Sequence, residues 1–587
     1  MLLPGKGQKL FTFVFVLKRY FPITQWLPNY KKSYLSGDVS AGITVGVMLI
    51  PQGMAYALIA GLPPVYGLYA ALIPNLLYAF TGSSRKLAVG PVALDSLIVA
   101  SSLATMKLAT IEDYISMALF LALLVGTIQL VMGFFRMGFL ANFLSRPVVS
   151  GFTSAAALVI AVSQLKYLFG LELETLGTLK TFTTVAQNLE QTNFYDLTIG
   201  IGAMVVILGL KKLHRKLPAA MLVVILSIIG IYLFMVNETD VHILGNVPQG
   251  LPAFVLPKFE TSQLVAAFPT ALALAFIAFA EAMTIAKAVE EKSNQQHTRP
   301  NQELRALGFS NIVGSFFQSF PANAGLSRTA VNVDEGAKTG LACIISAVVV
   351  GLTLLFLTPF FYYLPKSVLG AIILVAVYGL IDVNYPKQLF TKQKEEFVLL
   401  VVTFLTTLLI GISQGIIFGV LFSLVFLVYR ISKPHFAVLG KIKGMEYFKN
   451  IDRFGGDVEI HDEILMIRFD AQLFFANVEY FKKALMQQVD KKGPSLKYVI
   501  LNAEPINYLD DTAAKQLQTL VLQLGERDII FKLAGAIGPI RDILKKNGLL
   551  KIIGQENIYV RTAEAYADSL EKIERTALQE KVSVQHR

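Results

Sequence analysis

Apolar runs of helix-spanning length follow one another from about residue 39 to residue 431, and that pattern leaves few folds open. Inside a bilayer every backbone N–H and C=O must find its partner within the protein, so a run of ~20 apolar residues folds as helix. The 587 residues are 54% hydrophobic and only 16% charged, far too apolar for a soluble chain of this length. Bounded by turn residues, the runs number about fourteen. They fall at 39–60, 64–81, 90–104, 114–134, 147–168, 194–210, 218–236, 264–286, 304–318, 325–333, 339–361, 366–381, 396–412 and 414–431. The single cysteine, Cys343, excludes an intrachain disulfide and reads as a small core residue. Phe11–Leu17 is apolar but is followed by Lys18-Arg19 with no small-residue cleavage site, so it reads as interfacial rather than as a cleaved signal.

The net charge of +11 is distributed as topology, not as a nucleic-acid surface. Lys31-Lys32, Lys211-Lys212 with Arg215-Lys216, and Lys287 to Arg305 occupy alternate loops. The intervening long loops, 171–193 and 237–263, are acidic or neutral, which is the positive-inside pattern. An even number of spans puts both termini on one side, the cytoplasmic one, of a plasma (inner) membrane. Seven spans in each half can repeat only in inverted orientation.

Two of the runs are too short to cross. One reads Arg85-Lys86-Leu87-Ala88-Val89-Gly90-Pro91-Val92-Ala93-Leu94-Asp95, the other Phe320-Pro321-Ala322-Asn323-Ala324-Gly325-Leu326-Ser327-Arg328-Thr329. Each follows a span carrying an Asn, Asn75 or Asn311, at similar spacing. Paired interrupted spans in corresponding halves mark a transporter binding site. A helix N-terminus offers unpaired N–H groups and about half a positive charge, so two that face each other suit an anion. Gly90 and Gly325 admit close approach, Pro91 suits a first helical turn, Ser327 adds a donor and Arg328 a permanent charge. Arg328 within a span costs at least ~2.5–3.5 kcal/mol and so is a functional candidate. Glu281 is the other intramembrane charge, a carboxylate able to carry a proton or to balance Arg328, with Asp95 a weaker second. Gln52 and Tyr56, i and i+4 on the first span, can line one cavity. Single breaks also occur as kinks, and an Arg or Glu also serves as a structural pair; the matched pairing argues for the site.

Beyond Arg430-Ile431-Ser432-Lys433-Pro434 strands alternate with helices. Ile464–Phe469, Tyr498–Leu501 and Ile529–Leu533 read as strands; Tyr480–Val489, Thr512–Gly525 and Ile540–Asn547, stopped by Gly548, read as helices. This predicts a small α/β domain with a mostly parallel sheet over 440–568, and a charged, disordered tail over 569–587.

The stretch Pro64-Val65-Tyr66-Gly67-Leu68-Tyr69-Ala70-Ala71 through Thr81-Gly82-Ser83-Ser84-Arg85 resembles the signature of the SulP sulfate-permease family, which includes animal anion exchangers related to prestin. Pro51 to Ala57, Val89-Gly90-Pro91 and Leu326-Ser327-Arg328-Thr329 are similar to its first, third and tenth spans, and Asn507 to Ala513 to the loop of a STAS domain. The resemblance implies a transport domain over 39–432 behind an interfacial N-terminus, 1–38. Spans 1–4 and 8–11 would form a core moving as an elevator against a gate of spans 5–7 and 12–14, within a homodimer. It implies an anion held by Gln52, Tyr56, Gly90, Pro91, Val92, Gly325, Leu326, Ser327 and Arg328, and coupling at Glu281. Gly325 stands where some animal members have Ser, and Val92 where they have an aromatic residue. Glu281 stands where a sodium-coupled relative uses Asp, which leans towards protons over sodium. In the STAS loop Asp511 replaces the Ser that soluble relatives phosphorylate, while Thr512 reads as a helix cap and a cytosolic protein partner remains open.

The expectation is therefore a secondary active, proton-coupled transporter of sulfate, bicarbonate or dicarboxylates. An exchanger or passive anion channel is the alternative, and a nucleobase–proton symporter is argued against by the STAS tail and the Ser327-Arg328 pair. No enzymatic constellation, metal cluster or cofactor motif stands out.

Overall fold

The computed structural model describes residues 20–585 apart from 107, 143–144, 172–177, 214–217, 234–239, 258–260 and 294–297. The interfacial segment expected at 11–17 and the basic pair Arg215-Lys216 lie outside the described residues. A helix is found at every one of the predicted apolar runs. In the first half these are α1 (Leu35–Ile59), α2 (Pro64–Thr81), α3 (Ala93–Ala104), α4 (Ile111–Phe134), α5 (Arg146–Leu168), α6 (Phe194–Leu213) and α7 (Ala219–Leu233). In the second they are α8 (Thr261–Ser293), α9 (Pro300–Phe316), α10 (Leu326–Asp334), α11 (Leu341–Leu352), α12 (Lys366–Tyr378), α13 (Lys394–Leu409) and α14 (Ile412–Ser432). Among the described residues, five helical stretches are long and apolar enough to cross a membrane by themselves: Lys32–Ile59, Ile111–Phe134, Arg146–Leu168, Gln263–Glu290 and Leu341–Tyr363.

Local chemistry sets several helix starts. Pro64, Pro147 and Pro300 open α2, α5 and α9, where a missing N–H is no loss. Thr110 caps α4, its hydroxyl oxygen accepting from the Asp113 N–H at 3.1 Å. Helices α1, α2, α4, α8, α9 and α11 pack on one another around the two short helices α3 and α10. A second set, α5, α6, α7, α12 and α13, packs mainly within itself.

The chain divides into two compact units after Ser423, inside α14 rather than at its end. The second unit is a sheet in the order β4-β3-β6-β7-β8-β9. Its strands are β3 (Phe436–Ile442), β4 (Phe448–Asn450), β5 (Val458–Glu459), β6 (Ile464–Phe469), β7 (Tyr498–Asn502), β8 (Ile530–Ala534) and β9 (Ile558–Tyr559), the numbering leaving β1 and β2 for the membrane unit. β6 to β9 are parallel, as expected. The antiparallel edge formed by β3 with β4, β5 and β6 is absent from the sequence reading: β4 and β5 are only three and two residues long, and β3 begins before the expected domain start at 440.

The longer helices of this unit are α15 (Val478–Lys492), α16 (Asp511–Gly525), α17 (Gly538–Lys546) and α18 (Thr562–Gln585). Two expectations fail here. The N-cap of α16 is Asp510, whose carboxylate accepts from the Ala513 N–H at 2.7 Å, and Thr512 already lies inside the helix. The stretch 569–585 is not irregular but continues α18, which docks Ala565, Tyr566 and Ile573 on the sheet. A buried cation anchors it: Lys532 Nζ reaches Asp568 Oδ2 at 2.6 Å and Ser569 Oγ at 2.7 Å. Burial raises the Asp568 carboxyl, but hydrogen bonds from Lys532, Lys572 and Tyr559 outweigh it and hold that group below the usual carboxylate range. Burial meanwhile lowers Lys532. The two shifts pull oppositely on the pair; three donors on one carboxylate decide for the charged form.

Candidate functional site

The two interrupted segments meet in space. β1 (Val89–Gly90) and β2 (Asn323–Ala324) pair antiparallel, with Val89 opposite Ala324 and Gly90 opposite Asn323. Each strand feeds a short helix. Val92 is the N-cap of α3 and Gly325 the N-cap of α10, so the pairing sets two helix N-termini beside each other. The ladder corrects one expectation: Gly90 and Pro91 belong to the strand and its exit, and the helix begins only at Ala93. Two-residue strands leave no periodicity in sequence, so nothing local announces this sheet.

Hydrogen bonds hold the pairing from both sides. In the first segment the Lys86 carbonyl accepts from Asn332 Nδ2 at 2.8 Å and the Leu87 carbonyl from Cys343 Sγ at 3.1 Å. The Ala88 N–H donates to Thr329 Oγ1 at 3.1 Å, and its carbonyl accepts from the Gly325 N–H at 3.0 Å. The Pro91 carbonyl accepts from Arg328 Nη1 at 2.9 Å. Every one of these partners lies in the second half of the chain. From the other side Asn311 Oδ1 accepts from the Ala322 N–H at 2.8 Å, while its Nδ2 donates to the Ala322 carbonyl at 3.1 Å. Asn75, its counterpart by sequence spacing, works differently and donates to Ser346 Oγ at 2.6 Å.

Arg328 is 1% exposed, among the largest fully buried side chains of the protein. Its guanidinium lies over Gly325 and near Gly90. A Cβ at Gly325 would meet the Arg328 Cζ at 2.5 Å, and one at Gly90 would meet Nη2 at 3.5 Å. The cation is thus threaded between the two helix starts, which requires the absence of a side chain at Gly325. Its Nε and Nη2 have no hydrogen-bond partner among the described residues. Buried groups of this kind are costly unless satisfied, and a carboxylate or oxyanion is the natural acceptor for a guanidinium face.

Four other predicted residues converge here. Helices α1 and α8 both pack against α3 and against α10. From α1, Tyr56 is 6% exposed and within Coulombic reach of both Arg328 and Glu281. Gln52, one turn earlier, is 8% exposed with its Oε1 unpartnered among the described residues. From α8, Glu281 Oε2 accepts from Asn323 Nδ2 at 3.1 Å. From α3, Asp95 is buried beside Asn323 and within reach of Arg328. Asn323 was missed in sequence; it is fully buried in β2 and ties Glu281 to the ladder. Val92 is half-buried at the start of α3. Ser327 and Leu326, by contrast, are exposed on α10, next to the buried Arg328. Among the described residues no group of three or more His, Cys, Asp or Glu side chains is placed to hold a metal.

A buried cation between paired half-helix starts, inside a set of apolar helices joined to an α/β unit, defines a helical membrane transporter. The comparisons agree. The sequence profile of the sulfate permease family matches residues 35–403, and that of the STAS domain matches 457–565. The chain is 36% identical over 575 residues to probable sulfate transporter 4.2 of Arabidopsis thaliana, covering 95% of this chain and 84% of the relative. It is 32% identical over 541 residues to a probable sulfate transporter of Mycobacterium tuberculosis, covering 91% and 96%. Among solved structures, the murine Solute Carrier 26 family member A9 anion transporter in its inward-facing state superposes with a TM-score of 0.88 at 26% identity, covering 97% of this chain and 96% of that one. The chain belongs to the sulfate permease family: it is a multi-pass membrane transporter with a C-terminal STAS domain, not an enzyme.

Proposed function

We propose that this protein is a secondary active transporter of small anions of the sulfate, bicarbonate or dicarboxylate class, driven by proton symport. The observation that carries the proposal is the buried Arg328 guanidinium, threaded between two helix N-termini with two of its nitrogens unpartnered among the described residues. Two dipole ends and a cation make a strongly anion-selective field in low dielectric. The anion contacts proposed are Gln52, Tyr56, Val92, the Gly90 and Gly325 backbone, and Arg328. Glu281 holds the coupling proton: when protonated it no longer competes with the anion for Arg328, so anion and proton load together. Segregation of packing into two helix sets supports elevator movement of α1–α4 with α8–α11 against α5–α7 with α12 and α13, to which the family resemblance adds α14. The plasma-membrane location, cytoplasmic termini and homodimer follow the same reading.

Reconstituted protein should accumulate labelled sulfate against its gradient when an inward proton gradient is imposed, with bicarbonate or a dicarboxylate competing and uracil inert. Equilibration without accumulation would make it a channel. Uptake that needs internal anion and ignores the proton gradient would make it an exchanger.

A further inference from the structure

Two buried carboxylates outside the anion site share one unusual donor set. Asp38 is the fourth residue of α1 and Glu303 the fourth of α9, and each is fully buried. Asp38 accepts from two consecutive backbone N–H groups, Lys338 at 2.7 Å and Thr339 at 3.1 Å. It also takes the Thr339 hydroxyl at 2.7 Å and the Tyr30 hydroxyl at 3.2 Å. Glu303 accepts from the consecutive N–H groups of Ser83, at 2.8 Å, and Ser84, at 2.9 Å. It likewise takes the Ser83 hydroxyl at 2.5 Å and the Tyr78 hydroxyl at 2.7 Å. Each acid thus takes two backbone N–H groups, which can only donate, and two hydroxyls, and each sits in the first turn of a helix, where an acidic side chain suits the helix dipole.

The loops they grip are the ones that hold the half-helices. Ser83-Ser84 precede the Lys86–Pro91 segment that leads through β1 into α3, and Lys338-Thr339 lie in the turn that follows α10. The grip is reciprocal, since an acid of the first half holds a loop of the second and the reverse. Duplication does not explain the likeness, because in a seven-plus-seven repeat α9 is the counterpart of α2, not of α1. Around Asp38 the contact is backbone on backbone: a Cβ at Gly37 would lie 2.5 Å from the Gly336 carbonyl oxygen, and Ser40 Oγ donates to Glu335 Oε2 at 2.8 Å.

We infer that Asp38 and Glu303 are positioning residues for anion binding, clamping the outer ends of the two interrupted segments so that their helix N-termini keep the spacing the anion needs. The inference rests on the reading of those N-termini and Arg328 as the anion site. A clamp differs from a mere fold anchor in what it changes. Loosening it shifts the donors by a fraction of an ångström, which degrades binding geometry before it degrades the fold.

The test uses full-length purified protein with inorganic sulfate as probe, reading proteoliposome KM and Vmax per folded molecule together with the sulfate-induced rise in Tm. Ser83→Ala and Thr339→Val each remove one donor and leave the carboxylates in place; about a 3- to 10-fold rise in KM is expected. Asp38→Asn and Glu303→Gln place an NH2 against backbone donors and should exceed tenfold, with Asp38→Glu and Glu303→Asp restoring part of the loss. A lower Tm with unchanged KM in all of these variants would overturn the inference, leaving only fold anchors. Arg328→Ala run in parallel separates the two readings. If it leaves sulfate affinity intact, the site assignment itself fails; if it abolishes affinity while the clamp variants keep theirs, the clamp alone fails.

Discussion

The two interrupted segments use one backbone device and two different chemistries. Both enter through a two-residue strand, both start a helix at the centre of the pairing, and both carry glycine at the crossing. The first segment brings Pro91, Val92 and a buried acid, Asp95; the second brings Asn323 and a buried cation, Arg328. On the proposed reading, the symmetric part, dipoles and N–H groups, would set the sign of the ligand. The asymmetric part would set how tightly it is held and what is coupled to it. A site made of dipoles alone would suit any small anion, and the second half supplies the one permanent charge.

The comparison can be broken at several points. Arg328→Ala should cost the most, about 100-fold or more in anion affinity, because it removes a fully desolvated charge; isothermal titration with sulfate against wild type checks it. Glu281→Gln should abolish accumulation driven by a proton gradient while counterflow of anion persists, and an unchanged pH dependence in proteoliposomes would remove Glu281 from coupling. Substituting the two glycines sharpens the contrast. Gly325→Ala must displace the Arg328 guanidinium and should raise KM about tenfold, whereas Gly90→Ala meets Leu49 Cδ2 at 3.0 Å and Arg328 Nη2 only at 3.5 Å and should cost about threefold. Equal effects would mean that Arg328 does not depend on the empty space at Gly325.

The smallest expected effect on transport lies in the STAS domain. Asp568→Asn weakens the Lys532 anchor of α18, so local hydrogen exchange there should rise while sulfate KM stays unchanged. The sign of the pH dependence is fixed by the depressed Asp568 carboxyl. Its contribution is present in full above the unfolded value of ~3.9 and is lost as the pH falls through the lower folded value. Protection of α18 should therefore fail on acidification, not at alkaline pH.

Much of this was legible in the chain because it rests on local rules. Apolar runs marked fourteen helices of the membrane unit, α3 and α10 by their Gly/Pro breaks, while the short polar helices Thr178–Gln187 and Asn384–Lys392 carry no such run. The failures are informative in the same terms. Pro91 reads as a helix start, since nothing nearby reveals that Gly90 is engaged in a strand. Thr512 reads as a cap, yet the better acceptor, Asp510, stands two residues earlier. The tail reads as disordered from its charge, but Lys532, far away in sequence, draws α18 onto the sheet. Ser327 and Arg328 are adjacent in the chain, but neighbours on a helix point about 100° apart, and in the structure Arg328 is buried while Ser327 is exposed.

Sequence by itself determined the solvent, the helical class, the two interruptions and the preference for negative charge, because each follows from composition or from the chemistry of a helix end. Only the tertiary structure decided that the interruptions pair as strands, that Arg328 turns inward across Gly325, and that Asp38 and Glu303 grip the flanking loops. Those contacts join distant halves of the chain, largely through hydrogen bonds to backbone groups. Such bonds have no periodicity and no propensity, so they exist only once the fold has brought donor and acceptor together.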